Sequence, residues 1–214
     1  MITPIYFYFN LVAIIVWLWV RLRFKEPLLD QIGILISAGF IIETLALVYS
    51  YRFKTSNHWI YNMYTAGQIV FIAVIYSKLI SNQKISRQIR IFSLIFVILF
   101  VLNILFLQSF FKFHTFSYIL GCFLIFYISI QYLKQLLNEK NLQPLNKLPF
   151  FWITIGNIVF YICSMFYMGS INYINDKNFD EYGSLISIFV YLFTSVQSIL
   201  YTIAFICNLN PKKR

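Results

Sequence analysis

Apolar residues form seven long stretches along this chain, and short polar segments separate them. Each stretch is roughly 18 to 24 residues long, the length that an α-helix needs to cross the hydrocarbon core of a bilayer. A helix also satisfies its own backbone hydrogen bonds where no water is present. The pattern predicts an all-α, polytopic membrane protein, a seven-helix bundle in one domain over residues 1–214. The approximate spans are Ile2 to Val20, Leu28 to Ser50, Trp59 to Ile80, Ile91 to Gln108, Phe116 to Leu133, Leu148 to Met168 and Ser184 to Cys207.

The composition agrees with that class. Hydrophobic residues make up 60% of the chain and charged residues only 11%, whereas about 25% of the residues in a soluble domain are charged. A soluble core does not absorb so much apolar surface, so we expect the bilayer to be the main solvent. Seven helices use nearly all of the 214 residues, which leaves no room among them for a soluble catalytic domain.

The basic residues are distributed unevenly between the two sides of the predicted bundle. Of the 17 Lys and Arg, 13 lie in the odd-numbered connections and the C-terminal tail. Because Lys and Arg accumulate in short cytoplasmic loops, this bias predicts an outside N-terminus and a cytoplasmic C-terminus in the cell membrane. Three acids, Asp176, Asp180 and Glu181, belong to a predicted outer connection. The four basic residues on the outer side are Arg52, Lys54, Lys112 and Lys177.

The net charge of +10 raises the question of a nucleic-acid partner. The basic residues lie near the ends of the spans instead of forming one contiguous arm, and topology together with anionic lipid accounts for them. No folded basic module remains to bind nucleic acid. We therefore expect the lipid bilayer, and not nucleic acid, as the partner of these charges.

Tryptophan lies near several predicted span ends, as in the aromatic belts of membrane proteins. Trp17 and Trp19 are at the inner end of the first span, Trp59 is at the outer end of the third, and Trp152 is near the inner end of the sixth. We expect these rings to lie at the lipid interface.

Polar residues within the spans are the most informative feature for function. Glu43 is the only acid well inside a span, and an ionisable group inside the membrane marks a candidate functional site because its exposure to lipid is costly. Counting along the helices at about 1.5 Å per residue places amides from five other spans in the same outer half. We predict an outward-facing polar cavity that binds a small ligand. Its candidate residues are Glu43, Gln68, Asn157, Gln197, Asn103 and Asn10, with Tyr61, Asn62, Tyr64, Tyr49 and Tyr51 at the mouth.

Two other interpretations of these residues stay open. Amides in membrane helices often bond only to neighbouring helices, and Glu43 is then a protonated or tyrosine-paired packing residue. A charged Glu43 favours a cationic or amine ligand, but Arg52 or Lys54 would serve equally as its internal partner. A desolvated carboxyl also suits proton coupling.

The sequence contains no catalytic motif. It has no GxSxG and no pair of acids within the spans, and neither Ser195 nor Ser198 has a base near it in sequence. The histidines, His58 and His114, lack the spacing of metal ligands. Microbial rhodopsins share the predicted orientation, but no lysine lies between Lys177 and Lys212 to hold retinal. We expect a protein that is not an enzyme and has no metal and no cofactor.

These observations favour a sensor or receptor-like module that binds a small ligand from outside. Its inner loops are short, so its signal must pass to a separate cytoplasmic or membrane protein partner. One alternative is a small-solute or proton-coupled transporter, although all five prolines lie near span ends and not at hinges. Another is an accessory membrane subunit without a ligand. A homo-oligomer through the small residues Gly33 and Ser37 is also compatible with the sequence.

Overall fold

The computed structural model describes residues 5–138, 144–177, 179 and 184–209, and within these ranges the regular structure is entirely helical. The predicted all-α class is therefore confirmed. The last helix, α7, contains a π-helical segment, Ser187–Leu192, and α4 runs into another, Asn103–Leu107. A 3-10 turn, Leu145–Lys147, precedes α6. The helices are α1 (Ile5–Arg21), α2 (Pro27–Phe53), α3 (His58–Leu79), α4 (Gln83–Leu102), α5 (Thr115–Asn138), α6 (Pro149–Asp176) and α7 (Ser184–Ile186, the π segment and Phe193–Cys207).

Six of these helices, α2 to α7, are long and apolar enough to cross a membrane. Helix α1 is also apolar but is shorter, at 17 residues. Large apolar side chains cover the outward faces of the helices: Leu45, Leu94 and Phe123 are 58%, 62% and 58% exposed. Such a surface is unfavourable in water, at about 25 cal/mol for each Å², and suits a multi-pass membrane protein.

Local sequence explains where the helices begin and end. Helix α2 begins at Pro27, where the missing N–H of proline is not needed. It ends at Phe53, and the next residue, Lys54, caps the helix in the left-handed conformation with φ 50°. Asn82 caps α4 because its side chain accepts hydrogen bonds from the N–H groups of Lys84 and Ile85. As a result α4 begins at Gln83, eight residues before the predicted apolar span.

The basic side chains are divided between the two ends of the bundle as the sequence predicts. Among the described residues, nine Lys and Arg lie where α1, α3 and α5 end or α2, α4 and α6 begin, and four lie at the opposite end. Other charged residues of the predicted topology lie outside the described residues: Lys140, Asp180, Glu181, Lys212, Lys213 and Arg214.

Trp17 does not face lipid, contrary to the expectation from its position at a span end. Its side chain is 6% exposed, and its indole Nε1 donates a hydrogen bond to Asp30 at 3.2 Å. Gly33 makes this packing possible, because a Cβ there would collide with the Trp17 ring. Trp19 does agree with the expectation: it is 44% exposed, with the guanidinium of Arg23 4.4 Å from its ring centroid.

Candidate functional site

A cavity of about 140 Å³ lies inside the helical bundle. Helices α1, α2, α3, α5, α6 and α7 line it, and α4 contributes none of its described lining. It occupies the half of the bundle in which α2 ends and α3 begins. Glu43 and Gln68 are each ten residues from those helix ends, a depth of about 15 Å at the usual rise of an α-helix. The polar lining residues are Asn10, Glu43, Tyr61, Tyr64, Thr65, Gln68, Tyr118, Tyr161, Ser164, Thr194, Gln197, Ser198 and Tyr201.

Glu43 is the ionisable acid of this cavity. Its Oε2 atom is buried and has no hydrogen-bond partner in the described structure. Four tyrosine hydroxyls are close enough to interact with the carboxylate electrostatically. They belong to Tyr6, Tyr61, Tyr64 and Tyr191. Neutral hydroxyl groups therefore lie near Glu43, and none of them is hydrogen-bonded to its Oε2 atom in the described structure.

No described cation lies in the cavity to balance Glu43. Within the described part of the chain, the recorded ion pair joins Arg21 to Asp30 at 3.7 Å, at the other end of the bundle. Arg52 and Lys54, the candidate internal partners, are exposed beyond the cavity. Within the described lining, Glu43 therefore has no basic side chain as an internal partner.

A hydrogen-bonded network of α6 and α7 side chains forms the floor of the cavity. Gln197 Nε2 donates to Asn157 Oδ1 at 3.2 Å and to the Tyr201 hydroxyl at 3.1 Å. The Tyr201 hydroxyl donates to the same Asn157 oxygen at 2.5 Å. Beside this network, Ser198 donates to Asn10 Oδ1 at 2.6 Å and so joins α7 to α1.

Tyr161 provides a second unpaired polar group. Its side chain is 1% exposed, it lines the cavity, and its hydroxyl has no hydrogen-bond partner among the described residues. The neighbouring hydroxyls of Tyr118 and Ser164 bond to each other at 2.7 Å. A buried unpaired hydroxyl costs about 1 to 3 kcal/mol, so Tyr161 is unfavourable for the fold as it stands.

Gly39 sets the position of one wall. A Cβ at this residue would collide with the Tyr64 hydroxyl. The absence of a side chain lets Tyr64 lie across α2 at the edge of the cavity. This close approach brings the hydroxyl near Glu43, which is one turn further along the same helix face.

A further pair of hydrogen-bonded side chains, Tyr76 and Thr154, lies between the cavity floor and the basic end of the bundle. The hydroxyls of Tyr76 and Thr154 are 2.7 Å apart, and Thr154 donates to the Phe150 carbonyl. Tyr76 therefore donates to Thr154 in this pair. Thr154 is three residues before Asn157 on the same face of α6, so this pair adjoins the floor of the cavity.

The structure brings most of the predicted site residues together. Asn157 does not line the cavity, but it accepts a hydrogen bond from Gln197, which does. Tyr49 packs against the rings of Phe53 and Trp59, and Tyr51 is 76% exposed, so neither lines the cavity. The predicted residues that do line it are Asn10, Glu43, Tyr61, Tyr64, Gln68 and Gln197.

Asn62 and Asn103 do not line this cavity. Asn62 Nδ2 donates to the Lys112 carbonyl and its Oδ1 accepts from the His114 N–H, both at 2.9 Å. Asn103 Nδ2 donates to Gln108 at 3.0 Å and to Ser117 at 2.9 Å. Both amides face the connection between α4 and α5, because α4 packs behind α3 and α5, away from the cavity.

Sequence reasoning missed several lining residues, of which Tyr161 and Tyr201 are the most important. A usable signal was present: Tyr161 is four residues after Asn157, and Tyr201 is four residues after Gln197. Residues four apart share a helix face. The many tyrosines of this chain concealed the pattern, since each taken alone is uninformative.

His114 occupies a separate and much smaller cavity of about 10 Å³ between α3, α4 and α5. It is 2% exposed, and neither ring nitrogen has a well-formed hydrogen bond among the described residues. Burial lowers the pKa of His114 below its usual 6.5, and a weaker backbone interaction at Ser109 offsets part of the effect. Across the described chain, His, Cys, Asp and Glu side chains do not gather in groups of three or more that suit a metal ion.

Comparison with protein-family models, with curated proteins and with solved structures finds no match to this chain.

Proposed function

We propose that the chain crosses the membrane seven times, with its N-terminus outside and its C-terminus in the cytoplasm. Helix α1 supports the seventh crossing, because it packs between α2 and α7 and contributes Asn10 to the central cavity. The division of described basic residues, nine against four, supports the orientation. The cavity then opens toward the outside.

Cysteine labelling in intact cells tests this topology. In a background with Cys122, Cys163 and Cys207 replaced by alanine, Lys112→Cys should react with a membrane-impermeant maleimide. Asn82→Cys should react only after the cells are opened. The reverse pattern contradicts the orientation, and equal labelling of both sites in intact cells contradicts a seven-span arrangement.

We infer that the protein is a sensor or receptor-like module that binds a small organic cation in the Glu43 cavity. The observation that carries this inference is a buried, unpaired carboxylate oxygen in a cavity whose other described lining groups are neutral. An engineered apolar cavity of about 150 Å³ in another protein holds benzene, with six heavy atoms. We therefore expect a primary amine of about six heavy atoms, held by Glu43 and hydrogen-bonded near Tyr161.

The contacts beneath the cavity favour signalling over catalysis. The Ser198 hydroxyl is engaged with Asn10 and with the Thr194 carbonyl, and no described base adjoins it. The floor network joins α6 to α7 directly, and a π-helical segment precedes it in α7. Such segments occur often at functional sites. A ligand that alters this contact would shift α7, which ends on the proposed cytoplasmic side, where a partner protein would receive the signal.

Thermal unfolding of the detergent-purified protein tests ligand binding. The probes are n-butylammonium, with n-butanol and butyrate as neutral and anionic controls of similar size. We expect only n-butylammonium to raise the midpoint, by the equivalent of about 1.4 kcal/mol at tenfold excess over Kd. Glu43→Gln should abolish the shift. An equal shift from all three probes, or an undiminished shift in the variant, contradicts the proposed site.

A second candidate function, small-solute or proton-coupled transport, rests on the polar contacts below the cavity. Asn157, Tyr201, Tyr76 and Thr154 extend from the cavity floor toward the basic end of the bundle. Uptake of labelled n-butylammonium into proteoliposomes separates the two functions. Saturable flux that requires Glu43 favours transport, and binding without flux favours a sensor. If the protein shows no binding and no flux of n-butylammonium, the result favours an accessory subunit.

A further inference from the structure

The contact line between α4 and α5 carries two adjoining depressions of different chemistry. The first lies at the basic end of the bundle and has a volume of about 400 Å³. Its lining includes Asn82, Gln131, Lys134 and Asn138, and no described acid. Helix α4 begins beside it at Gln83, so the positive end of the helix dipole also faces this region. We call this depression the polar pocket.

The second depression is an apolar groove of about 350 Å³ on the outer surface of the same two helices. Phe92, Ile95 and Leu99 line it from α4, and Leu120 and Phe123 line it from α5. These side chains are all 40% to 58% exposed. The groove is therefore a concave part of the surface that the bilayer covers.

The spacing of the two depressions matches the dimensions of one leaflet. Along α4, Ile85 of the polar pocket is seven residues from Phe92 and fourteen from Leu99, which is about 10 Å and about 21 Å. Half of a hydrocarbon core is about 15 Å thick, and the headgroup layer adds about 5 to 8 Å. Between the depressions the Tyr127 hydroxyl donates to Gln88 at 3.1 Å, at the level expected for a lipid's glycerol and esters.

We propose that this seam binds one phospholipid with an anionic headgroup. The headgroup lies in the polar pocket beside Lys134, and one acyl chain lies in the groove between Ile95 and Phe123. Charge complementarity selects an anionic lipid, because Lys134 lines the pocket and the exposed Lys84 and Arg87 flank it on α4. Basic pockets between helices on the cytoplasmic side are suited to anionic headgroups. The site is independent of Glu43.

Native mass spectrometry of the purified protein tests the proposal with phosphatidylglycerol and phosphatidylcholine that carry identical chains. We expect preferential retention of one phosphatidylglycerol. Lys134→Gln should weaken its apparent affinity about fivefold, as expected for one lysine near a membrane surface. Lys134→Arg should retain the affinity for phosphatidylglycerol. Ile95→Trp, which fills the groove, should weaken the binding of both lipids. Lys177→Gln removes one charge at the opposite end and is the matched control, without effect.

Several results would overturn the lipid site. Equal retention of the two lipids, or equal effects of Lys134→Gln and Lys177→Gln, removes the headgroup assignment. Equal binding of chain-free glycerophosphoglycerol shows an anion site without a chain groove. A dimer that Ile95→Trp disrupts shows that a second copy covers the groove. Retention in the Glu43→Gln variant should equal that of the unmodified protein, which separates this test from that of the Glu43 cavity.

Discussion

Two polar clusters lie in the same half of this bundle, and they differ in the space that the packing leaves around their polar groups. In the cluster between α3, α4 and α5, Asn62 and Asn103 bond to the connection between α4 and α5. In the central cavity, Glu43 and Tyr161 leave buried polar atoms unpaired beside empty space. The first cluster fixes the connection between α4 and α5, and the second surrounds a cavity.

Volume separates the two clusters more clearly than polarity does. The small cluster also contains unpaired atoms, on Asn103 and His114, but its cavity of about 10 Å³ holds at most one water. The central cavity, at about 140 Å³, is more than ten times larger. An intramembrane amide therefore indicates a binding site only where the packing around it leaves space.

The largest expected effect comes from Asn62→Ala. The substitution leaves the part-buried Lys112 carbonyl and the buried His114 N–H without their present partner, and a buried unpaired group costs about 1 to 3 kcal/mol. We expect a loss of about 2 to 3 kcal/mol in the free energy of unfolding, measured by denaturant titration in detergent, because the N–H bears the full cost and the carbonyl only part of it.

Asn62→Asp is the matched control for this prediction. Its carboxylate still accepts from the His114 N–H, but it places a buried negative oxygen against the Lys112 carbonyl, so a loss at least as large as that of Asn62→Ala is expected at neutral pH. A change below about 0.5 kcal/mol in Asn62→Ala, as is usual for surface substitutions, would remove the structural role assigned to this cluster.

The same comparison explains which parts of the site were predictable from the sequence. Depth was predictable, because the rise per residue of an α-helix is constant, and Glu43, Gln68 and Gln197 do share the cavity. Direction around the helix axis was not predictable. The direction in which the Asn103 side chain points depends on where α4 packs. Trp17 points inward because Gly33 leaves space for its ring and Asp30 accepts its hydrogen bond.

A glycine pair tests whether the cavity wall depends on close packing. Gly39→Ala places a methyl group against the Tyr64 hydroxyl, whereas a Cβ at Gly67 meets nothing within 4 Å. Overpacking of this kind costs about 1 to 3 kcal/mol, so we expect Gly39→Ala to destabilise the protein by about 1 to 2 kcal/mol. It should also reduce the n-butylammonium shift, because Tyr64 must move relative to Glu43.

Gly67→Ala is the control, since it replaces glycine by a better helix former in open space. We expect no loss of stability and a gain of at most about 1 kcal/mol. Equal thermal midpoints for the two variants would contradict the close approach of α2 to Tyr64.

The small cluster should make stability depend on pH through His114. Burial lowers the pKa of His114 in the folded protein, while in the unfolded chain it stays near 6.5. The unfolded state therefore takes up a proton first, and stability present above about pH 6.5 is lost as the pH falls. We expect His114 to account for a loss of no more than about 1.2 kcal/mol between pH 7 and pH 5.5, the ceiling that an unfolded pKa near 6.5 allows, seen as the difference between the unmodified protein and His114→Gln. If the unfolding free energy of the two proteins falls equally between pH 7 and pH 5.5, His114 is not the responsible group.

The smallest effect on stability should come from the residue most important for the proposed function. Glu43→Gln retains the shape of the side chain but has no charge to desolvate, and no described ion pair is broken. We expect a change between zero and a gain of about 1 kcal/mol in unfolding free energy, together with loss of the n-butylammonium shift. This combination is typical of binding sites, where a group that recognises a ligand is often unfavourable for the empty fold. A loss above about 1.5 kcal/mol, more than a typical hydrogen bond contributes, would instead show that Glu43 is a packing residue, satisfied by the surrounding tyrosines, and the two polar clusters would then be alike.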